Sequence, residues 1–285
     1  MPEYVDAHGV VIVYDLYEPE GEARGVVQIL HGVGDHAGRY AVLAEALAAQ
    51  GFAVYADDHR GHGRTGIRQH GGPERLGRLG VGGHGAAVAA VWQLTELIRA
   101  ERPGLPVVLL GHSWGSFLAQ KLFDEHPDAY DAVVLVGSSL RWPGSLNAGD
   151  LNARWKTEGA NGVEWLSSDP EVQRAFLDDP LTTSVPLLRL FGPRGALQLY
   201  GRPRRGLRER AGADVPVLLL VGRDDSVGGP RAVHRLAKAY RERAGLADVT
   251  TLVYEGRHEI LKEPVQAAVR ADLLAWLDAR IPARS

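Results

Sequence analysis

The sequence predicts an α/β fold: a mostly parallel sheet with helices on both faces and a helical insertion between two of its core strands. Three observations lead there. Short apolar runs recur along the chain, as at 25–30 (interrupted only by Gln28), 107–110, 132–136 and 215–221. Stretches with apolar residues at helical spacing separate them. Strands that are apolar on both faces need cover on both faces, which is the mark of a parallel sheet threaded by helices. The third observation is a long interruption: residues 140–212 show no β-α alternation, yet carry Trp142, Trp155, Trp165, Phe176 and Phe191, too apolar a set for a linker.

The elements follow in order. Residues 10–17 alternate apolar and polar and read as a half-buried strand, paired with 3–6 across a glycine turn. A buried strand at 25–30 is followed by a helix over 40–50, which Gly51 stops, and by a strand at 52–56. A long helix is expected over 81–100, ending before Pro103. Then come a strand at 107–110, a helix from 116 and a strand at 132–136. Beyond the interruption the pattern resumes, with strands at 215–221 and 249–254 and helices at 230–243 and 265–279. The expected division is a core of 1–139 and 213–285 and a helical cap of 140–212.

Composition narrows the function. The chain has 285 residues, 45% of them hydrophobic, which is ample for a large core, and a formal charge of −3 gives no electrostatic footprint for nucleic acid. There are no cysteines, so disulfides, thiolate catalysis and thiolate metal sites are excluded. The N-terminus has no basic flank and no apolar run, and no stretch reaches membrane-spanning length, so a cytoplasmic location is the expectation.

Gly111-His112-Ser113-Trp114-Gly115 sits between a strand signal and a helix signal. A serine at such a turn is lifted above the sheet edge in a strained conformation, and a Cβ at either flanking glycine would collide with neighbouring backbone. A serine hydroxyl needs a base within reach and a group to orient that base. In this arrangement the acid and then the histidine follow in the chain. Asp225 and Asp224 compete for the acid after the 215–221 strand; Asp225 fits a Gly-x-x-Asp-x-Val spacing. His258, after the last strand, sits where the base belongs, because imidazole exchanges protons near neutrality. Glu259 and Glu263 read as structural. The oxyanion donors expected are the main-chain amides of Val33, in the glycine-rich loop 31–36, and Trp114. The spacing His59-x-x-His62 raises a metal reading, but glycine-rich turns without a carboxylate pair at ligand spacing favour a loop-stabilising role.

Together these residues resemble the α/β-hydrolase superfamily, and within it the monoacylglycerol lipase and lysophospholipase group that includes the serine aminopeptidase S33 domain. His31-Gly32-x-Gly34-x-His36-x-x-Arg39-Tyr40 is similar to that group's oxyanion loop. Asp58-His59-Arg60-Gly61-His62-Gly63-Arg64-Thr65 is similar to a second loop, with threonine for the usual serine, and Asp179-Pro180-Leu181 to a cap motif. The resemblance implies an eight-stranded sheet and a cofactor-free serine hydrolase whose small-molecule substrates are lipid-like acyl esters of monoacylglycerol or lysophospholipid type, with Ser113, Asp225 and His258 as its triad. In the cap, Trp142, Phe176, Leu187, Leu190 and Phe191 are the expected substrate-binding residues. Two features depart from the group: Trp114 stands where a small or flexible residue is usual and would narrow the acyl pocket or steer its entrance, and Gly82-Gly83-His84-Gly85 has no assigned role.

Three alternatives remain open on sequence. An aminopeptidase would need a cap acid for the substrate's amine, with Glu158, Glu164 and Asp169 as candidates. A thioesterase or lactonase would use the same triad. A binding protein on a retired hydrolase fold would carry an inert serine. The basic run Arg202, Arg204 and Arg205 reads as a solvated face, with peripheral membrane contact through the cap as its alternative.

Overall fold

The computed structural model describes residues 1–147 and 149–282. Ala148 of the expected cap and the last three residues of the expected core lie outside the described residues. The chain builds one eight-stranded sheet from β1 (Glu3–Val5), β2 (Val11–Tyr17), β3 (Gly25–Leu30), β4 (Phe52–Asp57), β5 (Val107–His112), β6 (Ala132–Val136), β7 (Val217–Gly222) and β8 (Val249–Tyr254). Their order is β1-β2-β4-β3-β5-β6-β7-β8. Strands β3 to β8 run parallel; β1 pairs antiparallel with β2, and β2 antiparallel with β4.

Every residue of β3, β4, β5, β6 and β7 is buried. Because side chains alternate across a strand, one strand serves two cores. Val26 and Leu30 join the cluster packed against α3 (Gly83–Glu101), α4 (Trp114–Glu125) and α8 (Gly229–Glu242). Val27 and Ile29 point the other way, toward α1 (Ala41–Ala49) and α9 (Gln266–Asp278). Truncating one such residue to alanine would cost roughly 2–5 kcal/mol where the neighbours cannot close in.

Boundaries move where backbone chemistry requires it. Strand β7 begins at Val217 because Pro216 has no amide to give; its carbonyl accepts from Val133 at 2.9 Å. Helix α4 begins at Trp114, before the expected start, because the Ser113 carbonyl accepts the Ser116 amide at 2.9 Å. Helix α2 (Gly63–His70) was not expected from the sequence; its mean composition is polar and its first turn holds two glycines, Gly63 and Gly66.

Between β6 and β7 the chain leaves the sheet at its carboxyl edge and forms α5 (Pro170–Asp178), α6 (Leu187–Leu197) and α7 (Leu207–Ala211). Val163, Leu166 and Phe176 make a small separate cluster there. Helix α6 is broken at Gly192 (φ 67°, ψ 174°) and Pro193. Leu199 and Leu207 rejoin the main core, so the last part of the excursion descends beside α4.

Candidate active site

Ser113 closes β5 and opens α4 with φ 54° and ψ −124°, the only positive-φ non-glycine residue among the described residues. Such a conformation costs about 1–3 kcal/mol and persists only where the surroundings over-determine it. Its amide donates to Val136 O at 2.9 Å, and the Ser116 hydroxyl donates to its carbonyl at 2.5 Å. A Cβ on Gly115 would stand 2.2 Å from Leu30 O, and one on Gly111 would stand 2.5 Å from Gly115 O. Both glycines are therefore forced by the close approach of strand, turn and helix.

The loops after β7 and β8 touch: a Cβ on Gly222 would meet Arg257 O at 1.9 Å. That contact brings Asp225 Oδ1 to 2.9 Å from His258 Nδ1, with both side chains buried. Asp225, and not Asp224, faces the imidazole. Asp224 pairs instead with the exposed Arg154 at 2.8 Å. A carboxylate on Nδ1 keeps the proton there and leaves the Nε2 lone pair free. His258 Nε2 is buried and has no hydrogen-bond partner among the described residues. The ring lies on Gly137, where a Cβ would be 3.0 Å from Cε1, and the preceding residue, Val136, holds the Ser113 amide. Serine and imidazole thus flank one short segment without a hydrogen bond between them. In free enzymes such bonds are often long and tighten with substrate.

The loop after β3 lies against the serine: a Cβ on Gly32 would be 3.1 Å from Ser113 Cβ and 3.6 Å from its Oγ. Neither the Val33 amide nor the Trp114 amide donates to another part of the chain among the described residues. Trp114 is also the first residue of α4, where the helix dipole favours negative charge.

Behind the site lies a buried ionic cluster that the sequence reading missed. Arg39 grips Glu259 with two bonds of 3.0 Å and Asp35 with one of 3.1 Å. Tyr40 donates to Asp35 Oδ2 at 3.0 Å and lies 2.7 Å from His112 Nδ1. His112 Nε2 lies 3.3 Å from the His258 carbonyl. Burial alone would raise both carboxyl pKa values, but the charges of Arg39 and Lys262 outweigh it and hold both below the usual range. The cluster joins the loop after β3, the residue before Ser113 and the loop after β8. Its one sequence signal was Arg39-Tyr40 in the loop motif; its partner Glu259 lies 220 positions away.

Glu263, read as structural, is fully buried and accepts from Ser168 N, Ser168 Oγ and Arg257 N, so it ties the excursion to the histidine loop. The Asp179 carboxylate lies 2.8 Å from His36 Nε2, and Thr183 N donates to Gly34 O at 2.9 Å. Of the five expected substrate-binding residues, Phe191 packs on Trp114 with ring centres 5.1 Å apart, Leu187 lies half-buried against the same core, and Leu190 covers Gly77. Phe176 packs within the excursion, with Arg39 over its ring at 4.9 Å. Trp142 is not drawn in: it is 41% exposed, with Arg202 over its ring at 3.4 Å.

The remaining candidates sort by their bonds. His31 Nδ1 lies 2.7 Å from Gly32 O and its Nε2 accepts from the His59 amide at 2.9 Å. His59 is held by Asp57, His62 by Arg60 O, and both rings pack on Trp114. Thr65 accepts the Val13 amide, which anchors this loop to β2. His84, unassigned from sequence, is buried against Trp114 and Phe191. Asp169 caps the start of α5 and Glu164 accepts from Asn152, Asn161 and Gly162, while Glu158 is exposed. The amide of Arg204 donates to Asp124 near the far end of α4 from Ser113, so the basic run does not border the serine. No helix among the described residues is long and apolar enough to cross a membrane.

Residues 21–265 match the family model described as serine aminopeptidase, S33. A monoacylglycerol lipase of Mycolicibacterium smegmatis is 33% identical over 94% of this chain and 93% of its own length. The human monoglyceride lipase is 29% identical over 98% and 91%. Among solved structures, a thermostable carboxyl esterase from Bacillus coagulans superposes with a TM-score of 0.84 at 24% identity, covering 98% of each chain.

Proposed function

This chain belongs to the serine aminopeptidase S33 family of α/β-hydrolases, and from that premise we propose that it cleaves carboxylic esters of monoacylglycerol or lysophospholipid type through an acyl-enzyme on Ser113. That it is a carboxylic-ester hydrolase follows from its relatives. The single observation that supports the mechanism is the 2.9 Å contact of Asp225 with His258, set beside a strained serine and two unengaged amides. His258 takes the Ser113 proton as Oγ attacks the ester carbonyl. The Val33 and Trp114 amides hold the oxyanion, and His258 returns the proton to the departing alcohol. Water then repeats the sequence on the acyl-enzyme.

In this reading the excursion 140–212 is a cap, with Leu187 and Phe191 over the acyl group. The exposed apolar residues Val185, Leu188 and Leu197 are where the cap meets a lipid surface. The esterase reading is favoured over an aminopeptidase because Asp169 and Glu164 are spent on backbone amides and the third candidate, Glu158, is solvent-exposed. A panel of monoacylglycerol, lysophospholipid and an amino-acyl arylamide tests it: turnover of either ester well above the arylamide is expected, and the reverse order overturns it.

A further inference from the structure

We propose that the Trp114 indole, backed by Phe191, forms a wall on the acyl side of the site and restricts the substrate to short or compact acyl groups. The inference rests on the ester-hydrolase reading of Ser113 and adds the acyl class to it. Its geometry comes from the reaction. The leaving oxygen must lie beside His258, which protonates it, and the oxyanion must face the Val33 and Trp114 amides. The acyl chain takes the direction that remains.

The rings around the serine divide the same way. His258 is flanked by His112 at 4.9 Å and Trp165 at 5.0 Å. Trp114 is flanked by His62 at 5.1 Å, His59 at 5.5 Å, His84 at 6.1 Å and Phe191 at 5.1 Å. The two sets share no member, so the indole fills the side away from the leaving group. It is 1% exposed, so rings occupy this side where a tunnel would need open space.

The wall is braced from α6. Leu190 sits on Gly77, where even a Cβ would come within 2.5 Å of it, and the helix breaks at Gly192 directly after Phe191. Trp114 Nε1 is buried without a partner among the described residues, so packing sets the ring, and replacing it strands no hydrogen-bond partner there.

The test is kcat/KM on p-nitrophenyl butyrate and dodecanoate for the wild type, Phe191→Ala and Trp114→Leu. The readout is the dodecanoate-to-butyrate ratio within each protein, which is independent of the fraction folded. The wild type should favour butyrate by about tenfold or more, and each variant should raise the ratio by about tenfold, the scale that a change of a few methylenes in a pocket supplies. A wild type equally fast on both esters, or variants with an unchanged ratio, would overturn the wall while leaving the esterase standing. No turnover of either ester by the wild type would overturn the esterase reading, and the wall with it.

Discussion

One carboxylate oxygen, Asp225 Oδ1, serves both the imidazole of His258 at 2.9 Å and the amide of Val227 at 2.8 Å. The amide fixes the carboxylate, and the carboxylate fixes the ring. An amide in place of this acid would favour the wrong tautomer with little change of shape. Asp225→Asn is therefore expected to lower kcat by about 10⁴. Asp224→Asn, which removes only an exposed pair with Arg154, should change it less than about threefold. Steady-state kinetics on one soluble ester checks both.

The two glycine environments predict opposite effects of the same substitution. A methyl on Gly115 meets two main-chain oxygens, Leu30 O at 2.2 Å and His31 O at 2.5 Å. A methyl on Gly85, inside α3, meets nothing within 4 Å. Gly115→Ala should cost several kcal/mol or prevent folding, at the overpacked end of about 1–3 kcal/mol and beyond. Gly85→Ala should stabilise by about 0.4–1 kcal/mol, through helix propensity and a less free unfolded chain. Denaturant titration measures both.

The ionic cluster should be costly to break. Arg39→Met leaves Asp35 and Glu259 as buried carboxylates short of their main counter-charge, an expected loss of about 3–5 kcal/mol. Arg68→Met removes a pair in which both side chains are about half exposed, and should cost less than about 1 kcal/mol. Equal losses in urea titration would contradict the assignment.

Stability should fall on mild acidification. Burial, first of all, lowers His62 and His84 to about 4 and His112 to about 3. The unfolded chain protonates these rings near ~6.5, so between that pH and ~4 it binds more protons than the folded chain. Their contribution is full above ~6.5 and is lost as pH falls through the window, up to roughly 3 kcal/mol for a fully buried ring. Asp35 and Glu259, held low in the fold, add losses only at lower pH. His84→Phe should flatten the slope of unfolding free energy between pH 6.5 and 4.5; an unchanged slope would argue against a buried neutral ring.

Local chemistry was readable in the sequence, and distant convergence was not. Apolar runs located β3 to β7 because burial on both faces leaves little room for polar residues, Gln28, Asp57 and His112 being the exceptions. The elbow glycines announced themselves because only one residue type survives those contacts. The choice between Asp225 and Asp224 needed the loops after β7 and β8 in contact, although the Val227 spacing pointed the right way. Helix α2 escaped notice because glycines and charged residues hide its period. The link of Arg39 to Glu259 was illegible, since 220 positions separate a loop-motif arginine from a glutamate read as structural and nothing local pairs them. Trp142 looked like a pocket residue by composition, but Arg202 covers it on the outside.

The central claim is that Ser113 is the nucleophile. Treating the protein with a fluorophosphonate and mapping the adduct by peptide mass tests it most directly, alongside ester turnover of Ser113→Ala. The account predicts one stoichiometric adduct on Ser113, no adduct in the variant, and a fall in turnover approaching ~10⁶. An adduct on another residue, or a Ser113→Ala variant within about tenfold of the parent, would contradict it.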